Sequence, residues 1–272
     1  MIELSKLKKQ YQGLKNTPIL WNDVDFYEYR PIEIPFHENI DWASIDTSKH
    51  HRLGKLVEIF YQKNLEKQEA YCSLAHNIQI QVDKHQTIGE LDFIIQKKNN
   101  EIHHIELAYK FYLYKPDEPN EINRWIGPNL KDSLAQKLLK LKSKQFPLLK
   151  NNSTKKILSK KGINPHNIKQ SVHFLAQLYV PLHLRNQTFA NINHECIKGY
   201  YISHQELDIL PNSDLYHLPI KVDWLIDPKN NDTWCSFEEI KKEIIEQINF
   251  KHSPLLWVKR NKTYERLFIT FW

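Results

Sequence analysis

The sequence predicts an α/β fold, a mixed sheet flanked by helices. Two observations lead there. Helical and alternating hydrophobic periods follow one another through the first half of the chain, and strand-like and helix-like segments return towards its end. Apolar residues recur at Leu53, Leu56, Val57 and Phe60, one face of a helix expected from about Arg52 to Glu69. From Ile78 the period becomes alternation: Ile78, Ile80 and Val82 stand against Gln79, Gln81 and Asp83, the pattern of a half-buried strand. Two more strands are expected over Thr87–Gln96 and Ile102–Tyr114, joined by the KKNN turn at residues 97–100. A helix then starts at Pro128 and Asn129 with Asp132 in its first turn, carries Leu130, Leu134, Leu138 and Leu141 as its apolar stripe, and ends at Pro147.

Residues 150–170 are polar and lysine-rich, contain Gly162 and Pro165, and read as a flexible connection. Ser171–Val180 reads as a buried strand, Ile197–Ser203 and Arg266–Phe271 as further strands, and Ser236–Phe250 as a helix. Trp224, Trp234, Trp257 and Trp272 are expected core anchors. The chain thus divides into an N-terminal extension over 1–50 that packs on the core, a core over 51–182 and a C-terminal α+β elaboration over 183–272.

Composition narrows the class of function. With 272 residues, 41% hydrophobic and 26% charged, the chain has the make-up of a soluble globular protein, which excludes wholesale disorder. Its longest apolar stretch, Phe174 to Leu184, is interrupted by Gln177 and Pro181 and is too short to cross a bilayer. The amino terminus, MIELSKLKKQ, lacks the apolar segment of a secretory signal, so a cytoplasmic location is expected. Cys72, Cys196 and Cys235 are far apart and odd in number, which predicts reduced, packed thiols rather than a disulfide framework or a zinc site. The six glycines are too scattered for a phosphate-cradling loop and no G-x-S-x-G elbow occurs, which excludes the P-loop, dinucleotide-binding and kinase signatures and the usual hydrolase nucleophile.

Charge is distributed unevenly. The formal net charge is only +6, yet between Ser133 and His194 there are eleven Lys or Arg and no Asp or Glu. The remainder of the chain is therefore net acidic, and a one-sided basic block is the footprint of a polyanion partner. Nucleic acid is the expected partner, DNA rather than RNA, with no membrane involved. On the helix after Pro128, Ser133, Lys137, Lys140 and Lys144 share one face offset from the leucines, so Lys137, Lys140 and Lys144 are the expected nucleic-acid contacts. The alternative is a solvated lysine face without a partner.

The hairpin can be registered by parity, because residues paired across antiparallel strands share a face and the apolar set must stay together. A three-residue loop over 98–100 sets Leu91 opposite Leu107, Phe93 opposite Ile105 and Asp92 opposite Glu106, with Glu90 nearby. Leu91 and Leu107 are then buried and the other face is acidic. Two opposed carboxylates repel unless a cation or a shared proton intervenes. A divalent metal on Asp92 and Glu106 resolves the conflict, since Mg²⁺ or Mn²⁺ is satisfied by one or two protein carboxylates, water and substrate phosphate oxygens.

These residues resemble the PD-(D/E)XK, or restriction-endonuclease-like, nuclease superfamily: a helix with Glu58, then GELDF with Gly89 and Asp92, then IELAYK with Glu106. RLGKLVE, GELDFII, IELAYKFYL and WIGPNLKDSL are also similar to an uncharacterised bacterial family thought to belong to that superfamily. The resemblance implies a restriction-endonuclease-like core over 51–182 with a C-terminal elaboration, metal ligands at Asp92 and Glu106, a supporting Glu58, and phosphodiester hydrolysis with Mg²⁺ or Mn²⁺. Where its motif has lysine, this chain has Ala108. Lys110, two residues further along the same face, is the expected replacement, there to orient the attacking water, with Lys137 in reserve and an ion pair to Glu90 as the structural alternative. His104 shares the face of Glu106 and is an accessory candidate, whereas His103 points the other way. Trp125 and Asn129 lie where a loop could approach the site, with packing and helix capping as their alternatives. Two other readings stay open: a binder of nucleic acid inactivated by Ala108, and an interaction protein whose lysines meet acidic partners.

Overall fold

A computed structural model describes residues 3–21, 29–46, 52–82 and 86–272. Among them, nine strands form one mixed sheet in the order β1-β2-β3-β5-β6-β9-β8-β7, with β4 paired to β3. The strands are β1 Tyr71–Gln81, β2 Thr87–Lys97, β3 Ile102–Tyr114, β4 Trp125–Ile126, β5 Ile168–Pro181, β6 Ile197–Ser203, β7 Leu215–His217, β8 Leu255–Arg260 and β9 Thr263–Thr270. β1, β2 and β3 run antiparallel in sequence. β5 and β6 then add parallel to β3, β9 continues the parallel run, and β8 and β7 close it antiparallel. The alternation expected from Ile78 holds to Gln81, but the strand begins at Tyr71; Asp83 lies outside the described residues.

Helices cover both faces. On one, α1 (Leu4–Lys15) and α2 (Leu53–Leu65) bury Leu7, Tyr11 and Leu14 and Leu56, Val57 and Phe60 against Phe93, Ile105 and Leu107. α1 reaches across to residues of the C-terminal third: Lys6 pairs with Asp223 at 2.7 Å and Gln10 Nε2 donates to Asp223 Oδ1 at 2.9 Å. The approach is so close that a Cβ on Gly13 would fall 1.7 Å from the carbonyl oxygen of Leu225. On the other face, a bent helix α3 runs through Leu134–Lys140, a π-turn over Leu141–Gln145 and a last turn, Phe146–Leu148. Its Leu134, Leu138 and Leu141 pack with Ala108, Tyr112, Val172 and Phe174.

Two expectations, on the start of the helix after Pro128 and on residues 150–170, are corrected. α3 starts at Leu134, capped by the Ser133 side chain, because residues 127–132 close a loop of their own: the Gly127 N–H donates to the Asp132 carbonyl at 2.7 Å and Leu130 takes φ 58°. Leu130 is therefore exposed, outside the stripe. Residues 150–170 are not a flexible connection, since they hold α4 (Asn152–Lys160), capped by Asn151 and docked through Leu158 beside Ile78 and Ile80 of β1. The boundary at 182 does not interrupt the sheet, which passes from β5 to β6 and carries on. α5 (Phe237–Asn249) forms where expected, with a Ser236–Glu239 capping box, and packs on β7, β8 and β9. Trp224 and Trp257 are buried, and Trp234 and Trp272 pack on the same core from its margin. The three cysteines are free thiols.

His173 on β5 pairs with Leu107 on β3 and is buried to 1% exposure beneath α2, its Nδ1 2.9 Å from the Tyr61 hydroxyl. Burial pushes its pKa down to about 3. The folded state therefore binds fewer protons than the unfolded chain between about pH 6.5 and 3, and stability is lost as pH falls through that window, with a slope approaching ~1.4 kcal/mol per pH unit. Urea midpoints of His173→Gln measured against pH should show a shallower acid limb than the wild type; parallel limbs would refute the assignment.

Candidate active site

The β2–β3 ladder starts at the turn and stops at Phe93↔Ile105, in the register that parity demands. Asp92 and Glu106 come next on the two strands, and here the strands part. Asp92 Oδ2 accepts the Leu107 N–H at 2.9 Å, so a side chain takes the place of the missing strand carbonyl. On β1, Asn77 sits between the pairs His76↔Phe93 and Ile78↔Leu91 and takes φ 48°, a left-handed conformation that Asn tolerates. β2 turns over at this point. Leu91 consequently packs with Ile94 and Leu148 on the α3–α4 side, not with Leu107 on the α2 side, which corrects the expectation that the two leucines share one buried face.

Asp92 and Glu106 are neighbours, the first half-buried and the second closed off from solvent. Burial first, and then the charge of Glu106, push the Asp92 carboxyl up to about 8. Glu106 is fully buried. Its Oε2 accepts from Gln145 Nε2. Its Oε1 lies 3.1 Å from His104 Nε2, yet the two are misaligned and each is buried without a hydrogen bond among the described residues. A buried carboxylate oxygen without a hydrogen bond is costly.

The lysine at this site comes from α3. Lys137 Nζ donates to Gln145 Oε1 at 2.8 Å, so Lys137, Gln145 and Glu106 form a chain of contacts. Burial lowers the Lys137 pKa, while the charges of Glu106 and Asp92 oppose that shift. The π-turn makes the contact possible. In an unbroken α-helix, side chains eight residues apart diverge by about 80°, whereas the wider i→i+5 turn winds back the residues that follow Leu141 and brings Gln145 beneath Lys137. Nothing in the residue pattern announces this turn, and Gln145 carried no signal of its own.

Lys137 therefore leaves the proposed outer stripe. Lys140 and Lys144 remain exposed, while Lys137 points inwards. Lys110 is held by Asp132 Oδ2, 2.6 Å from its Nζ, and its charge is felt by Lys137; Ala108, between Lys110 and Glu106, is buried with the leucines of α3. Glu90 is bonded by Gln79 and not by Lys110. Glu58 stands at the rim, its charge felt by Asp92, with Lys55 Nζ at 2.9 Å and Asn77 Nδ2 at 3.5 Å on its Oε2. Trp125 is buried against Tyr114 and Phe189, and Asn129 accepts the Ser253 N–H at 2.8 Å; both are structural here.

The donor set suits a hard divalent cation. Asp92 and Glu106 supply carboxylate oxygens, one of them unpartnered, and the described residues contain no group of three or more His, Cys, Asp and Glu that would make a closed protein cage. The remaining ligands would have to come from the backbone, water or substrate.

A family model for a domain of unknown function, DUF1853, matches residues 38–269. The chain belongs to that family. The DUF1853 match takes in β1 to β8, all of β9 but its last residue, and every candidate residue above, but α1 lies outside it. Comparison with curated proteins and with solved structures finds no match.

Lys137 and Lys110 can be told apart by stability. Lys137→Met removes the cation facing the buried Glu106 and the half-buried Asp92 and should cost about 1–3 kcal/mol in urea unfolding at neutral pH. Lys110→Met breaks a half-exposed pair and should cost less than about 1 kcal/mol. Equal losses would overturn the assignment of Lys137 to the site.

Proposed function

We propose that this chain is a metal-dependent nuclease with a restriction-endonuclease-like core, acting on DNA. The observation that carries the reading is the juxtaposition of Asp92 and Glu106 where β2 and β3 part, with the orphaned Glu106 Oε1 between them and His104. Mg²⁺ or Mn²⁺ held there would supply Lewis-acid assistance to the phosphate and an activated water. Asp92 and Glu106 are its ligands, and Glu58 supports them from the rim. Gln145 fixes the rotamer of Glu106. Lys137 takes the part of the motif lysine that Ala108 cannot play, orienting water and offsetting charge that develops on the phosphate. A lysine supplied from a helix serves as well as one from the strand, because the role depends on where the ammonium sits and not on which element carries it.

Lys140 and Lys144, on the exposed side of α3, support the DNA-binding part of the reading, together with Lys155, Lys156 and Lys160 of α4. The complete burial of Glu106 under Gln145 favours a second reading, in which the same fold binds nucleic acid without cleaving it.

The test separates chemistry from binding. Asp92→Asn should abolish Mn²⁺-dependent cleavage, by at least about a hundredfold, and abolish thermal stabilisation by Mn²⁺ while leaving DNA affinity nearly unchanged. Neutralising Lys140 and Lys144 should weaken binding across sequences and flatten its salt dependence. A wild-type protein that binds DNA but cleaves none with Mg²⁺ or Mn²⁺ makes the second reading the correct one.

A further inference from the structure

Beyond the point where β2 departs, β3 has an open edge. Among the described residues, no strand pairs with it on that side between Ile105, the last partner of β2, and Leu113, the first partner of β4. Asp92 takes the Leu107 N–H, and because successive peptide groups of a strand alternate in direction, the N–H groups of Tyr109 and Phe111 point to the same edge. A cavity of about 520 Å³ lies along it, large enough for a nucleotide. Phe111 and Trp224, packed edge to face with centroids 5.2 Å apart, form its apolar wall with Tyr109. Three cations stand around that wall: Arg52 at the start of α2, Lys110 on β3, and Lys221, whose Nζ is 5.5 Å from the Trp224 ring centroid. The one acid among the described lining residues, Asp132, is already engaged by Lys110. Arg52 and Lys221 are exposed and make no ion pair among the described residues. The cavity thus combines an aromatic wall with an excess of positive charge and backbone donors, the combination that single-stranded nucleic acid calls for and that an uncharged peptide or an apolar ligand does not.

We propose that this cavity binds one nucleotide of a single-stranded segment of nucleic acid, its base against Phe111 and Trp224 and its phosphate between Arg52 and Lys221. The position of the cavity relative to the chemistry rests on the nuclease reading. Lys110 lies four residues beyond Glu106 on the same face of β3, about 13 Å away, so a single strand can lie across both. The substrate is then frayed or single-stranded at this point, because the stacked base pairs of an intact duplex leave no base free to enter.

The test uses the full chain and a short 5′-labelled oligothymidylate without divalent metal, so that binding is read apart from cleavage. Fluorescence anisotropy should show the Kd of Arg52→Ala/Lys221→Ala raised about tenfold, and the salt slope shallower by about 0.7, as for the loss of one phosphate contact on a single strand. Lys241→Ala/Lys242→Ala on α5 should leave both unchanged. Photo-crosslinking of the same oligonucleotide carrying 5-bromouracil to the wild-type protein should map to peptides containing Phe111 or Trp224. Unchanged affinity in the Arg52/Lys221 variant, crosslinks confined to α3 and α4, or no binding by the wild type would each overturn the proposal. The outcomes separate from those of the nuclease reading. Cleavage with unchanged binding in the variant leaves the nuclease and removes the subsite, whereas the expected binding loss in a protein that never cleaves leaves the subsite and removes the nuclease.

Discussion

Two carboxylates that meet at one position of a parting ladder set the terms for the centre of this molecule. Asp92 and Glu106 cannot both be buried and ionised without compensation, and the peptide groups exposed by the parting strands cannot be left unpaired. Each demand is met by a specific neighbour. Asp92 accepts the Leu107 N–H, which ties the loose end of the ladder to a side chain. Glu106 receives Gln145, Gln145 receives Lys137, and both come from α3. Their alignment depends on the π-turn at Leu141–Gln145, and the closeness of α3 depends on a small residue at position 108. The absence of lysine from the strand and its presence on the helix are therefore one fact: a long side chain at 108 would hold α3 away from β3.

The surroundings of this centre are assembled from both ends of the chain. α1 docks on residues 221–226 through Lys6, Gln10 and the close approach at Gly13. The loop that carries Asp132, and hence the anchor of Lys110, is tied to the C-terminal segment: the Pro128 carbonyl accepts from Ser253 Oγ at 2.7 Å and from Trp272 Nε1 at 3.0 Å. The open edge of β3 thus lies between α2, a loop from the middle of the chain and a turn from its last quarter. A cavity at such a junction keeps its shape only while all three are packed.

The basic block is divided by the fold into parts with different work. Lys137 is drawn inwards by the carboxylates, whereas Lys140, Lys144 and, on α4, Lys156 and Lys160 stay in solvent. Asn151 caps α4 through its side chain, and Leu158 and Thr154 bury its inner side, so the lysines beyond α3 stand on an ordered surface and not on a loose tether. A charge run in a sequence reports the sum of these roles and does not separate them.

Much of the sheet was legible in the residue pattern because local periodicity and burial agree there. The α2 stripe, the alternation in β1 and β2, the turn at 97–100 and the parity of the hairpin led to the register Phe93↔Ile105, and with it to the meeting of Asp92 and Glu106. The pattern failed wherever the deciding contact is remote. The start of α3 was set by a loop closed between Gly127 and Asp132, and α4 by a short buried face beneath a polar surface. The turning over of β2 at Asp92, which parts Leu91 from Leu107, follows from the loss of pairing with β3. The approach of Lys137 to the carboxylates required α3 to cross Ala108 and to widen by one residue, and spacing along a single strand carries no record of a helix that packs on it. Local periodicity sorted residues onto faces within each regular stretch, up to the points where β2 turns over and the 127–132 loop closes. Only the tertiary structure decided which faces meet, because that depends on volume and hydrogen-bond closure between segments distant in the chain.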